Sequence, residues 1–152
     1  MSGRCWTRRE ALAALSAAAL GLALPACDRR AGVTPPEIAF GEDVCDWCRM
    51  TIDDPRLAAA FVPASGRSLR FGEAGCLLSW LAENPGAAGS PFVAAREDGG
   101  WLLASAATYT RGTVRTPMSF DIAAWRGEPG VGEERLTWKR LREEGAPRAS
   151  RG

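Results

Sequence analysis

The pattern of apolar and polar positions first separates an amino-terminal apolar run from a longer region of mixed polarity. Residues 11–26 are apolar except for Ser16, and Arg8 and Arg9 precede them. A positive stretch followed by an apolar run shorter than the roughly 20 residues of a membrane-spanning helix is typical of an export signal. We therefore predict that residues 1–26 are an export signal peptide and not part of the fold.

The apolar run ends in Leu-Pro-Ala-Cys, with the cysteine at position 27. Small residues before a cysteine resemble the lipobox of bacterial lipoproteins, in which the cysteine sulfur receives a lipid. We predict lipidation at Cys27 and a protein anchored on the periplasmic side of a bacterial membrane. The paired arginines fit either a plain positive region or twin-arginine export.

Charge, glycine and a proline pair without a hydrophobic period then predict a flexible tether over residues 27–42.

Residues 43–142 are predicted to form one domain of the α+β class. Alternating apolar positions predict β-hairpins over residues 57–71 and 92–104. Apolar residues at helical spacing predict a helix over residues 73–83, which Asn-Pro-Gly ends. Because each hairpin is followed by further structure, we expect a small domain of two related halves built from β-hairpins and helices.

The remaining segments are less regular. Residues 50–52 and 118–125 are predicted as short strands, whereas residues 109–117 are polar and rich in turn residues. Residues 143–152 are predicted to be a disordered tail. Three apolar residues are expected to close the core from a final strand or short helix, namely Leu136, Trp138 and Leu141.

Composition narrows the functional classes. The formal net charge is +1 and the charged residues, 24% of the chain, are scattered, so no basic surface for nucleic acid is indicated. The chain contains no histidine. This removes the commonest general base and the commonest borderline metal ligand, so a bound metal must be held by sulfur, oxygen or a substrate.

Sulfur is concentrated in one stretch, Cys-Asp-Trp-Cys-Arg-Met at residues 45–50. Two residues separate Cys45 from Cys48, a spacing that lets both sulfurs face one ion or each other. In an extended chain Met50 shares a face with Cys48. Thiolate and thioether sulfur prefer Cu(I) to hard cations, so the appended methionine favours a copper site.

Two further sulfur residues lie downstream. Removing the signal takes Cys5 away and acylation occupies Cys27, which leaves Cys76 as a third thiol. An odd number of thiols outside the cytoplasm indicates metal binding, redox chemistry or intermolecular pairing. Cys76 is predicted in the first turn of a helix, where the backbone dipole favours a thiolate, although a small core residue fits the spacing as well. Met118 fits either a ligand or a core gap-filler.

Four interpretations of the pair Cys45 and Cys48 stay open at this point. The first is a Cu(I) site, and the second is a redox dithiol in a lipid-anchored thiol-disulfide oxidoreductase, although no thioredoxin-like βαβ order surrounds the pair. The third is structural zinc, which needs Cys76 and a carboxylate or water. The fourth is a structural disulfide with Cys76 in the core.

Three blocks of residues follow one another in a diagnostic order. They are Cys45-x-x-Cys48-x-Met50-Thr51-Ile52-Asp53-Asp54, Phe71-Gly72-Glu73-x-Gly75-Cys76-Leu77 and Thr116-Pro117-Met118. In this order, and with the lipoprotein signal, the chain resembles the NosL family of bacterial copper lipoproteins associated with nitrous oxide reductase maturation.

The resemblance implies a copper chaperone and not an enzyme. Such a protein takes Cu(I) from a copper donor and delivers it to a client copper enzyme such as nitrous oxide reductase, while a lipid anchor holds it at the membrane. By matched position, Cys45, Cys48 and Met50 fall on the family's metal-binding block and Met118 lies near the site. Arg49 stands where the family usually has glycine, a residue that takes positive φ freely. Without histidine, Met118 or Cys76 becomes the expected further ligand.

Overall fold

The computed structural model describes residues 32–130 and 133–145. The predicted signal peptide, the lipidation site Cys27 and residues 146–152 lie outside this part of the chain. None of the helices that the structure describes has the length and apolar character needed to cross a membrane.

The first sheet has four antiparallel strands in the order β2-β1-β3-β4. The strands are β1 (Ala59–Pro63), β2 (Leu69–Phe71), β3 (Gly89–Ala94) and β4 (Trp101–Leu103). Helix α1 (Ala74–Glu83) connects β2 to β3 and buries its apolar stripe against the sheet. The small residues at positions 58–60 are fully buried, and the helix contacts the strand that begins there.

The second sheet has three antiparallel strands in the order β6-β5-β7. They are β5 (Thr108–Arg111), β6 (Ile122–Trp125) and β7 (Leu136–Thr137), and helix α2 (Trp138–Glu144) follows the last strand directly. A 3-10 helix (Ala104–Ala106) leads from the first sheet to the second. The two sheets meet where Ala95 forms a parallel bridge with Ala124.

The structure confirms the predicted α+β class, both hairpins and the helix. The predicted core residues Leu136, Trp138 and Leu141 are buried, the first in a strand and the other two in a helix. Both hairpins lie in the first sheet, because β1 pairs with β3 as well as with β2. The sheet boundary therefore falls after the second hairpin and not between the two.

Strand β5 was not predicted, because residues 109–117 look polar. Tyr109 and Thr110 point to opposite sides of the strand, yet both are fully buried. A central strand that is covered on both faces shows no alternation of apolar and polar residues.

Two predicted strands are shorter than expected. Residues 116–121 form a turn, so the strand predicted over 118–125 begins only at Ile122. The strand predicted over 50–52 is reduced to one bridge between Val44 and Thr51.

The folded part begins before residue 43. Ile38 belongs to the core, the Gly41 N–H donates to the Ile52 carbonyl at 3.0 Å, and Arg70 Nε donates to the Glu37 carbonyl at 2.8 Å. The second half of the segment predicted as a tether therefore packs on the domain.

Candidate metal site

The loop at residues 45–50 is closed by two backbone hydrogen bonds. The Cys45 N–H donates to the Met50 carbonyl at 2.8 Å, and the Arg49 N–H donates to the Cys45 carbonyl at 3.1 Å. Arg49 has a φ of 67°, in the left-handed region that glycine occupies readily. A side chain in that region costs about 1–2 kcal/mol. The loop keeps its turn with an arginine at this position at some expense in stability.

Asp46 attaches this loop to the edge of the first sheet. Its N–H donates to the Arg70 carbonyl and its Oδ2 accepts the Arg70 N–H, each at 2.8 Å. Its Oδ1 pairs with Arg67 Nη2 at 2.7 Å. Burial opposes ionisation, but the hydrogen bonds from Arg67 and Arg70 outweigh it and lower the pKa of the Asp46 carboxyl. Asp46 therefore fixes the orientation of the cysteine loop as a charged, hydrogen-bonded anchor.

Trp47, between the two cysteines, packs beside the site. Its ring lies 6.0 Å from the ring of Phe120, centroid to centroid, and its Nε1 donates to Glu83 Oε1 at 3.1 Å. Because Phe120 belongs to a different loop, Trp47 joins the cysteine loop to that part of the chain.

Helix α1 contributes Cys76 from its first turn, as the sequence predicts. The preceding residue is Gly75, and a Cβ there would lie 2.1 Å from Phe120 Cγ. Only glycine lets the Phe120 ring pack directly on the helix backbone. The start of α1 and the loop containing Phe120 are therefore held in close contact.

The third piece of the site is the turn at residues 116–121. The Thr116 N–H donates to Asp121 Oδ1 and the Asp121 N–H donates to Thr116 Oγ1, each at 2.9 Å. Ser119 and Asp121 have φ of 56° and 53°. These reciprocal bonds hold a tight turn that presents Met118 toward α1.

The three pieces bring the cysteine sulfurs together. The Sγ atoms of Cys45, Cys48 and Cys76 all lie within 4.8 Å of one another. Two sulfurs bound to one ion at about 2.3 Å are at most about 4.6 Å apart, so small shifts let this cluster close on a metal ion. All three are free thiols.

A cavity of about 70 Å³ lies at the cluster and reaches all five predicted site residues. Cys45 and Cys76 are fully buried and Cys48 is half-buried, whereas Met50 is 45% exposed. The residues lining the cavity are Cys45, Cys48, Met50, Thr51, Asp53, Asp54, Leu57, Gly72, Glu73, Cys76, Pro117 and Met118. None of these is basic, so the cavity suits a cation.

The thiols differ in acidity. The Cys76 thiol donates a hydrogen bond to the Cys45 sulfur, and this bond, helped by nearby backbone N–H groups, lowers the pKa of Cys45 to about 5 against the effect of burial. The same bond, together with burial, raises the pKa of Cys76. Burial raises the pKa of Cys48. The raised pKa of the buried Cys76 thiol contradicts the prediction that the helix start favours a thiolate there, and it fits the alternative of a small core residue.

Glu73 is a site residue to which the sequence pattern assigned no role. Its side chain is 1% exposed, and Oε1 accepts the Met118 N–H at 2.8 Å. Oε2 is buried without a hydrogen-bond partner among the described residues. Burial raises the pKa of this carboxyl. The Thr116 side chain and the Met118 backbone N–H make that increase smaller. One signal was visible, since Glu73 is the first residue of the predicted helix and glutamate is not among the preferred capping residues.

No protein-family model, curated protein or solved structure matches the chain.

Proposed function

We propose that this protein binds Cu(I) as cargo through cysteine and methionine sulfur and passes the ion to a client copper enzyme. The observation that carries the proposal is the cluster of three thiols whose Sγ atoms lie within 4.8 Å of one another at a single cavity. Soft thiolate and thioether donors match Cu(I), a soft ion that tolerates low coordination numbers.

The donor set favours copper over zinc. A structural zinc site takes four nitrogen, sulfur or oxygen ligands in a closed tetrahedron, usually cysteine and histidine. Here the chain has no histidine, and the two residues that extend the sulfur cluster are the methionines Met50 and Met118. Thioether sulfur is a ligand of Cu(I), whereas the usual zinc ligands are cysteine, histidine and carboxylates.

The oxidoreductase alternative has less support. Thiol-disulfide exchange needs an accessible sulfur that is also a thiolate at working pH. In this site the two properties are separated, because Cys45 has the lowered pKa but is fully buried, whereas Cys48 is more accessible but has a raised pKa.

Exposure decreases from the rim of the site to its floor, which suits transfer of the ion. Met50 is 45% exposed, while Cys45 and Cys76 are fully buried. An incoming sulfur ligand from a partner can bind the ion as the weak Met50 thioether leaves, and the buried thiolates are released afterwards. Each step exchanges one metal–sulfur bond for another and requires no change of copper oxidation state.

We infer the cellular setting from the sequence motifs alone. In this proposal a lipid on Cys27 and a short tether hold the protein on the periplasmic side of a bacterial membrane, where a copper donor loads the site. The resemblance to the NosL family makes nitrous oxide reductase the expected client.

The proposal is tested by anaerobic titration of the reduced full chain with Cu(I) against a chromophoric chelator. A background variant with Cys5→Ser and Cys27→Ser removes the two thiols outside the described residues and serves as the matched control. We expect tight one-to-one binding in this background, and its loss when Cys45→Ser and Cys48→Ser are added. Unchanged Cu(I) affinity in the quadruple variant would refute the assignment.

Two parallel assays separate the competing functions. Titration with Zn(II) should show weaker binding than Cu(I), and reduction of a model disulfide by the metal-free protein should be slow. Tight Zn(II) binding whose affinity is unchanged in the Met118→Leu variant would favour a structural zinc site instead.

A further inference from the structure

We propose that Glu73 is a positioning residue, whose buried carboxylate holds Met118 at the metal site by binding its backbone N–H. The proposal rests on the proposed function in one respect, since it takes Met118 as a ligand of the cargo ion. The contact itself belongs to the protein without metal.

The carboxylate of Glu73 links two parts of the site that are far apart in the chain. Glu73 directly precedes α1, but its side chain makes no capping hydrogen bond to its own helix. Its Oε1 instead accepts the Met118 N–H at 2.8 Å, across a sequence separation of 45 residues. The helix that follows Glu73 carries Cys76, so one side chain connects the Cys76 helix to the Met118 turn.

Burial gives this contact its importance. Glu73 is 1% exposed, in a cavity whose described lining has no basic residue. A buried carboxylate is unfavourable unless its oxygens accept hydrogen bonds. The Met118 N–H, in turn, is part-buried and donates to the Glu73 carboxylate. Loss of the carboxylate should therefore release the Met118 end of the turn from α1, while Phe120 stays packed on Gly75.

The turn keeps its own shape without Glu73. Thr116 and Asp121 close it through two reciprocal hydrogen bonds, and Phe120 packs on Gly75 independently of the carboxylate. Removing the Glu73 side chain should therefore displace Met118 without unfolding the domain.

Three substitutions separate positioning from the alternative in which Glu73 contacts the ion. Glu73→Ala removes the acceptor, whereas Glu73→Gln keeps an oxygen for the Met118 N–H and removes the charge. Glu143→Ala makes the same change as the first variant at an exposed position on α2, and it is the matched control.

The first measurement is hydrogen exchange of the Met118 amide in the metal-free full chain. We expect protection in the native protein, in Glu73→Gln and in Glu143→Ala, and faster exchange in Glu73→Ala. Equal protection of Met118 in Glu73→Ala and the native protein would overturn the proposal.

The second measurement is a double-mutant cycle on Cu(I) affinity. Loss of an outer residue that orients a ligand weakens metal binding by about 10- to 100-fold. We expect Glu73→Ala and Met118→Leu each to weaken binding, the double variant to be no weaker than Met118→Leu alone, and Glu73→Gln to bind as the native protein does. Independent losses that multiply, or equal losses in Glu73→Gln and Glu73→Ala, would overturn positioning.

Failure of the copper assignment is distinguishable from failure of this inference. If the native chain does not bind Cu(I), the proposed function is wrong, and the amide exchange of Met118 alone decides whether Glu73 positions the turn.

Discussion

The loops around the cysteines differ from the strands of the second sheet in their backbone conformation and in how well their polar groups are hydrogen-bonded. Among the described residues, the non-glycine positions with positive φ are Arg49, Ser119 and Asp121, and all three lie in the site loops. The same region holds the buried Glu73 oxygen that lacks a hydrogen-bond partner.

The second sheet shows the contrary arrangement. The Tyr109 hydroxyl donates to the Ala104 carbonyl at 2.7 Å, and Trp125 Nε1 donates to Thr110 Oγ1 at 2.9 Å. The Thr137 side chain caps α2 by accepting the Arg140 N–H at 3.2 Å. These polar groups are satisfied and the strands need no unusual backbone. The other buried oxygen without a hydrogen-bond partner among the described residues, Glu133 Oε2, lies in the loop before β7.

The difference indicates which region is shaped for stability and which for binding. Strained backbone and unsatisfied polar groups persist only where the surrounding structure enforces them, and they cluster at functional sites. In this protein the sheet supplies the rigid framework, and the strained loops place sulfur around a cavity. Substitutions in the two regions should therefore have separable effects.

The largest expected effect is a loss of stability when a core residue beside the second sheet is substituted. Leu141 is fully buried on α2 and is not among the residues that line the cavity. Leu141→Ala should lower the free energy of unfolding by about 3 kcal/mol because it leaves a cavity in the core. Urea denaturation measures this, and the Cu(I) affinity of the folded variant should not change. A parallel loss of affinity would show that the two regions are not separable.

Gly75→Ala should affect both properties. The new Cβ collides with Phe120, which must move away from α1, and overpacking of this kind costs about 2 kcal/mol. Cu(I) affinity should fall as well, because Phe120 lies in the turn that presents Met118. The matched control is Gly86→Ala, where an added Cβ meets no atom within 4 Å. Similar behaviour of the two alanine variants would contradict the packing argument.

The acidity of Cys45 should depend on the donor at position 76. A hydrogen bond to a charged acceptor contributes about 1.5–3 kcal/mol, so Cys76→Ala should raise the pKa of Cys45 by at least about one. Cys76→Ser keeps a donor and should leave the pKa low. In the native protein the thiolate should persist above about pH 5 and become protonated as the pH falls through that value.

Ultraviolet absorbance of the thiolate follows this titration. The metal-free chain should carry Cys5→Ser, Cys27→Ser and Cys48→Ser. The only thiols left to titrate are then Cys45 and, where it is kept, Cys76. If the alanine and serine variants titrate at the same pH, the thiol of Cys76 is not what lowers the pKa of Cys45.

The smallest expected effect is at Arg49. Arg49→Gly relieves a left-handed backbone, worth about 1–2 kcal/mol, but makes the unfolded chain more flexible by about 0.5–1 kcal/mol. The net result should be stabilisation by about 0.5 kcal/mol, seen as a higher midpoint of thermal unfolding. Arg56→Gly is the control, because Arg56 is exposed and has no positive φ, and it should be slightly destabilising.

The sequence predicted much of the regular fold. Both hairpins and α1 were predicted because their apolar periods are local and Asn-Pro-Gly ends the helix. Strand β5 was missed because burial on both faces removes the alternation. Residues 118–121 were predicted as strand because the apolar residues there alternate by chance, but they belong to a turn that Thr116 and Asp121 close by bonding to each other.

What the sequence by itself determined is the chemistry of the donors, since the five sulfur residues predicted for the site and the absence of histidine are properties of composition and spacing. Only the tertiary structure decided how those donors differ. It made Cys76 the hydrogen-bond donor to Cys45, left Met50 at the rim and placed Glu73 against Met118. These relations join residues that are distant in the chain, and no local pattern encodes which distant groups will meet or how deeply each will be buried.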